Sequence, residues 1–298
     1  MNHDTAYLNI ARKIIIEGEW KNNRTGIRTK VIPFQHFQHN MADGFPLLTT
    51  KKMGLKNIAA ELEFFIKGLT DKQWLKDRNC HIWDGWANPS APVKYNGQYT
   101  KLSSIEDTDD RLTLQKECND LGYVYGWQWR SFDGIRGGGG YDQLGDIVLK
   151  LHNNPDDRRM ICSAWNPKQL DKMALPPCHL LFNVVVINGT LHLHWHQRSC
   201  DFFLGVPFNV ASYALLLKLL AKEGGFKEGI LSGLLADCHI YENHMDQMEE
   251  QIGREPYEAP QVEILDRDGR FSIFNWQYTD FKLNNYNSHP AIKGEVAI

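Results

Sequence analysis

No CxxC pair or other clustered cysteine spacing occurs in the chain, although it carries six cysteines, Cys80, Cys118, Cys162, Cys178, Cys200 and Cys238. Thiols scattered in this way argue against a disulfide framework or a structural zinc site. They read as free thiols in a reducing compartment, with room for at least one of them to be a nucleophile. No apolar run is long enough to cross a bilayer, and the start, Met1-Asn2-His3-Asp4, is polar rather than a signal segment. The expected location is therefore the cytoplasm, with no membrane partner. Basic charge is not in excess: the formal net charge is -3. That gives no footprint for nucleic acid, so a phosphate-bearing ligand needs a local cluster of arginines. Internal repeats are lacking too.

What is present suits an ordinary globular protein. The 298 residues, 42% of them hydrophobic, can bury one large core or two small ones. Residues 4–17 have the spacing of an amphipathic helix, with Leu8, Ala11, Ile14 and Ile15 on one face. Leu55, Ile58, Leu62, Phe65 and Ile66 repeat the pattern in a helix closed by Gly68. Thr29 to Phe37 reads as extended. Leu181 to Ile187 and Thr190 to His196 read as strands joined by Asn188-Gly189, a strong hairpin signal. Asn209 to Glu223 reads as a helix, and His239 to Gln251 as another helix or its approach. Residues 87–121 are polar and acidic, which marks a surface insertion with a short helix near Leu112 to Cys118. Gly137 to Gly140 reads as a flexible turn. Strands and helices without βαβ regularity indicate an α+β fold.

Chemistry concentrates in a few places. In Leu175-Pro176-Pro177-Cys178-His179, two prolines stiffen the approach to a thiol, and a thiolate is the strongest ordinary protein nucleophile. Arg24, Arg158, Arg159 and Arg198, the last followed by Ser199, offer forked donors that suit a phosphate dianion. His192, His194 and His196 alternate along one strand face. They read as polar surface or interface rather than a metal site.

The stretch from Gln197 to Ala214, with Pro-Pro-Cys-His before it, is similar to the thymidylate synthase family. Arg24-Thr25-Gly26, Thr49-Thr50-Lys51-Lys52, Ile82-Trp83-Asp84, Tyr125-Gly126, Ser163-Ala164-Trp165-Asn166 and the tail from His289 to Ile298 extend the resemblance over nearly the whole chain outside 87–121. The resemblance implies one catalytic domain over 1–298, with a large mixed sheet flanked by helices and two chains packed sheet to sheet as a homodimer. It implies that Cys178 attacks C6 of dUMP and that C5 then captures the one-carbon unit of 5,10-methylenetetrahydrofolate, with no metal. Arg24, Arg198, Ser199 and Gln197 would hold the nucleotide, and Arg158 and Arg159 would reach into the other subunit's site. Asn209 would read the uracil edge, and His239 and Tyr241 would bond the sugar hydroxyl. Glu61 and Tyr125 would organise water and move protons. Asp201 would hold the pterin, with Trp83, Trp86, Leu204, Gly205 and Phe208 lining the folate site and Ile298 closing over it.

Two products are open to such an enzyme. Reduction of the bound methylene gives dTMP and dihydrofolate, whereas addition of water gives 5-hydroxymethyl-dUMP and tetrahydrofolate. Trp83 and the complete tail favour the first by keeping water out. Glu61-Leu62-Glu63 and Tyr125-Gly126-Trp127 look like the phage hydroxymethylases and keep the second reading open, with a host cytoplasm as its setting. At about 100° per residue Glu61 and Glu63 fall on opposite edges of the apolar helix face, so Glu63 is expected to be partly exposed and to have no catalytic part. A catalytically silent nucleotide- or RNA-binding relative is the remote third reading, opposed by Cys178, Arg198, Asn209 and Tyr241.

Overall fold

A computed structural model describes residues 2–267 and 269–296. The strands are β1 (Glu19–Lys21), β2 (Thr29–Asn40), β3 (Pro92–Tyr95), β4 (Gln98–Lys101), β5 (Ile161–Ser163), β6 (His179–Ile187), β7 (Thr190–Asp201), β8 (Lys227–Tyr241), β9 (Gln261–Ile264) and β10 (Phe281–Asn284). The helices are α1 (His3–Glu17), α2 (Leu55–Ile66), α3 (Gln73–Lys76), α4 (Thr108–Glu117), α5 (Gly126–Ser131), α6 (Gln143–Asn153), α7 (Gly205–Gly224) and α8 (Met245–Ile252). Six strands form one mixed sheet in the order β1-β2-β8-β7-β6-β5, in which only β7 and β8 run parallel. This is the mixed sheet with flanking helices expected for the family.

The pleat of β7 decides which face is covered. Leu191, Leu193, Trp195 and Gln197 are buried, while His192, His194 and His196 alternate with them on the other face and are half-buried. The buried face meets α7, which carries Val210, Ala214, Leu217 and Leu220 into the core, and α1 covers β2. The β6–β7 hairpin turns at Asn188 (φ 49°) and Gly189 (φ 73°), the left-handed pair that a two-residue turn requires.

Two expectations need correction. His239 to Tyr241 are not helical: they end β8, because that strand is paired along its length with β2 on one side and β7 on the other. A short 3-10 turn and α8 follow. The 87–121 insertion is more than a polar loop with a helix. It holds the β3–β4 hairpin, turned at Asn96-Gly97, and a small core of Ala87, Val93, Leu102 and Ile105. Its helix α4 starts at Thr108, where the Asp107 carboxylate accepts the Asp110 N–H at 2.9 Å.

Candidate functional site

Cys178 lies between the proline approach and β6, and other elements hold it from both sides. Its N–H donates to Tyr125 Oη at 2.8 Å, and its carbonyl accepts the Arg198 N–H at 2.8 Å. The Arg198 side chain folds back, with Nε donating to Pro177 O and Nη2 to Pro176 O, each at 2.9 Å. Prolines have no N–H, so their carbonyls are the backbone groups by which this segment can be anchored. Burial pushes the Cys178 thiol above its ordinary range, while the positive charges of Arg198 and Arg24 draw it down. The guanidinium charges of Arg198 and Arg24 thus both favour the ionised form of this sulfur, against its burial.

Tyr125 is buried at the start of α5 with φ +21°, a costly conformation for a residue with a side chain. Gly126 follows, and its bareness lets α5 press on α2: a Cβ there would lie 2.5 Å from Phe65 O. The Tyr125 ring stacks on His179 at 4.1 Å, and His179 Nδ1 shares a hydrogen bond of 2.8 Å with Tyr213 Oη. Burial lowers His179 to about 3, so its imidazole is neutral. On α2, Glu61 accepts the Trp83 indole N–H at 2.8 Å. Burial raises this carboxyl to about 7, against the opposing pull of that hydrogen bond. The Trp83 ring lies 5.9 Å from Tyr125 and 6.1 Å from Trp86, so Glu61, Trp83 and Tyr125 form one buried wall near Cys178.

The end of β7 and the start of α7 supply the opposite side. Gln197 Nε2 donates to Asn209 Oδ1 and to Ser199 O, both at 3.0 Å, which orients the Asn209 amide. Asp201 Oδ1 accepts the N–H groups of Phe203 and Leu204 at 3.1 Å each and so shapes the turn into α7, where Gly205 and Phe208 sit. Strand pairing sets Asp201 beside His239 and Ser199 beside Asp237. His239 Nδ1–H donates to Asp237 Oδ1 at 2.8 Å, and its ring meets Tyr241 edge-on at 5.2 Å. The hydrogen bond from His239, with help from Lys21, holds Asp237 at about 2. The thymidylate synthase family model matches residues 5–298.

The chain belongs to the thymidylate synthase family. Members of this family transfer one-carbon units to dUMP with methylenetetrahydrofolate as co-substrate.

Within the thymidylate synthase fold, one cluster thus gathers the sequence-predicted Cys178, Tyr125, Glu61, Trp83, Trp86, Arg24, Arg198, Ser199, Gln197, Asn209, Asp201, His239 and Tyr241. Arg158 and Arg159 do not join it within one chain. Both are exposed on the turn between α6 and β5, where Arg159 forks onto Asp157 with Nε at 2.9 Å from Oδ1. Ile298 lies outside the described residues. The tail before it runs beside Phe203 and His244, and His244 Nε2–H donates to Glu295 O at 2.8 Å.

Glu63 corrects its expectation. It is buried, not partly exposed, and its Oε2 accepts the Tyr278 N–H at 2.7 Å. It does point away from Glu61, to a different partner. His192 Nδ1 accepts the Ile230 N–H at 2.9 Å, and His194 Nδ1 shares a hydrogen bond of 3.0 Å with Ser232 Oγ. Among the described residues no group of three or more His, Cys, Asp or Glu is placed to hold a metal ion. The reading of individual residues overlooked Lys51, whose buried ammonium donates to Phe203 O and lies 3.9 Å over the Phe203 ring. Burial lowers it to about 7, with Asp201 acting in the other direction. The only sequence signal for it was its place in Thr49-Thr50-Lys51-Lys52.

Proposed function

We propose that this chain catalyses reductive methylation of dUMP, giving dTMP and dihydrofolate. Cys178 adds to C6 of the uracil ring, and the electron pair moves to C5, which bonds the methylene carbon of the folate. Loss of the C5 proton then breaks the bond from the methylene to the folate nitrogen. Hydride from the tetrahydrofolate turns the methylene into methyl as dihydrofolate forms, and Cys178 leaves C6. Arg198 and Arg24 favour the thiolate and bind the phosphate. Asn209 fits the uracil edge: its oxygen, held by Gln197, keeps a second lone pair for the ring N–H, and its NH2 group donates to the carbonyl. His239 and Tyr241 bond the sugar hydroxyl, Asp201 holds the pterin, and the tail covers the ligands. Arg158 and Arg159 complete the phosphate site of a second copy, with the outer sheet faces in contact, so the working form is a homodimer in the cytoplasm.

The observation that carries methyl transfer over addition of water is the Trp83–Glu61 hydrogen bond at 2.8 Å. It fixes a buried indole beside the reacting cluster and holds the Glu61 carboxyl in an apolar, water-poor wall. A second reading, hydroxymethylation, draws on Tyr123 and Trp127, which stack at 4.8 Å on either side of the Tyr125-Gly126 step. Incubation with dUMP and methylenetetrahydrofolate, followed by identification of both products, decides between them. dTMP with dihydrofolate supports the proposal, and 5-hydroxymethyl-dUMP with tetrahydrofolate reverses it.

A further inference from the structure

We infer that the 87–121 insertion, acting through Lys72 and Gln115, is a buttress that sets the conformation of the Trp83–Trp86 loop and with it the affinity for the folate. The ligand named here rests on the function proposed above.

The Lys72 side chain is fully buried, and its ammonium is held by backbone carbonyls. Nζ donates to Trp86 O at 2.7 Å, to Gln115 O at 3.0 Å and to Asp84 O at 3.1 Å. Two of these carbonyls belong to the tryptophan loop and the third to the last turn of α4. A carbonyl in the last turn of a helix has no partner within the helix and carries its negative end, so an ammonium there is well placed. Gln115 completes the arrangement by donating from Nε2 to Gly85 O. The carbonyls of residues 84, 85 and 86 are therefore all held from the side of α3 and α4. Helix α4 buries no residue completely. An apolar face does not explain how it docks; these polar contacts, with Leu114 and Cys118 against the small core, do. The backbone locks α3 and the insertion together as well: Lys72 N–H donates to Asn119 O at 2.9 Å, and Leu121 N–H to Thr70 O at 2.8 Å. At the far end of this chain of contacts, Trp83 holds Glu61. Lys72 and Gln115 are thus positioning residues that act through the loop.

The test compares wild type with Lys72→Met and Gln115→Ala in the full chain, by two readouts. Hydrogen exchange over residues 83–88 reads the bracing itself, and steady-state kinetics read the folate KM against the dUMP Kd. In folded variants, amides of 83–88 are expected to lose protection while the central sheet keeps it. The KM for methylenetetrahydrofolate rises roughly tenfold in Lys72→Met and about threefold in Gln115→Ala, with dUMP binding within about twofold of wild type. Unchanged exchange at 83–88 overturns the buttress, as does an unchanged folate KM in variants that turn over, or a parallel loss of dUMP affinity. If Lys72→Met does not fold, Gln115→Ala, which leaves the buried ammonium in place, decides by the same criteria. A wild-type protein that fails to turn over dUMP counts against the proposed function, and the bracing is then judged by exchange alone.

Discussion

Glu61→Gln separates what the site needs from what the fold prefers. Burial raises the Glu61 carboxyl to about 7 from the usual 4.5, so the folded chain holds this proton more tightly than the unfolded one. A group raised in this way stabilises the fold below about pH 4.5, and that contribution is lost as pH rises through about 7. The gap between 4.5 and about 7 corresponds, at about 1.4 kcal/mol per tenfold, to roughly 3 kcal/mol. Glutamine has the shape of the neutral acid, keeps a carbonyl for the Trp83 N–H and does not ionise. The variant is therefore expected to lie within about 1 kcal/mol of wild type in stability at pH 5 and to exceed it at pH 8 by up to about 3 kcal/mol. Activity moves the other way, falling on the order of 10²-fold or more if Glu61 transfers protons. Urea unfolding of both proteins at the two pH values measures the first effect, and steady-state turnover the second. A stability difference that is the same at pH 5 and pH 8 would refute the reasoning, because it would mean that Glu61 ionises in the fold as it does in water.

Two further outcomes follow from the same contacts. Arg198→Met removes two charge-assisted hydrogen bonds to the proline carbonyls and a positive charge near the sulfur. It should cost roughly 2–4 kcal/mol in urea unfolding and move the Cys178 thiol further up in a pH series of iodoacetamide alkylation; an unmoved thiol would show that the guanidinium does not act on the sulfur. Glu63→Leu leaves the Tyr278 N–H without its acceptor and should cost about 1–3 kcal/mol, with the same reaction product as wild type; a changed product would place Glu63 in the chemistry after all.

Much of the fold was legible because the deciding signals are local. Asn188-Gly189 marks its hairpin, the apolar spacing of 55–66 marks α2, and alternation along β7 separates His192, His194 and His196 from the core. The insertion hairpin had a local signal too, Asn96-Gly97 between Val93 and Tyr99, which the polar and acidic composition obscured. His239 to Tyr241 could not be read as strand from their neighbours, because the pairing partners are Thr29 to Val31 and the end of β7, far away in sequence. The same limit explains Glu63. Its distance in helical angle from Glu61 is in the sequence, but its acceptor role depends on Tyr278, 215 residues further on. The site was named residue by residue from resemblance. What the sequence could not supply is how its members are held: Arg198 clamping the prolines, Tyr125 receiving the Cys178 N–H, and Lys72 reaching the tryptophan loop.

The most direct measurement replaces the sulfur. Cys178→Ala should give no detectable conversion of dUMP in the presence of methylenetetrahydrofolate, while titration calorimetry still detects dUMP binding, because Arg24, Arg198 and Asn209 are untouched. Turnover that survives the loss of this sulfur would contradict the account.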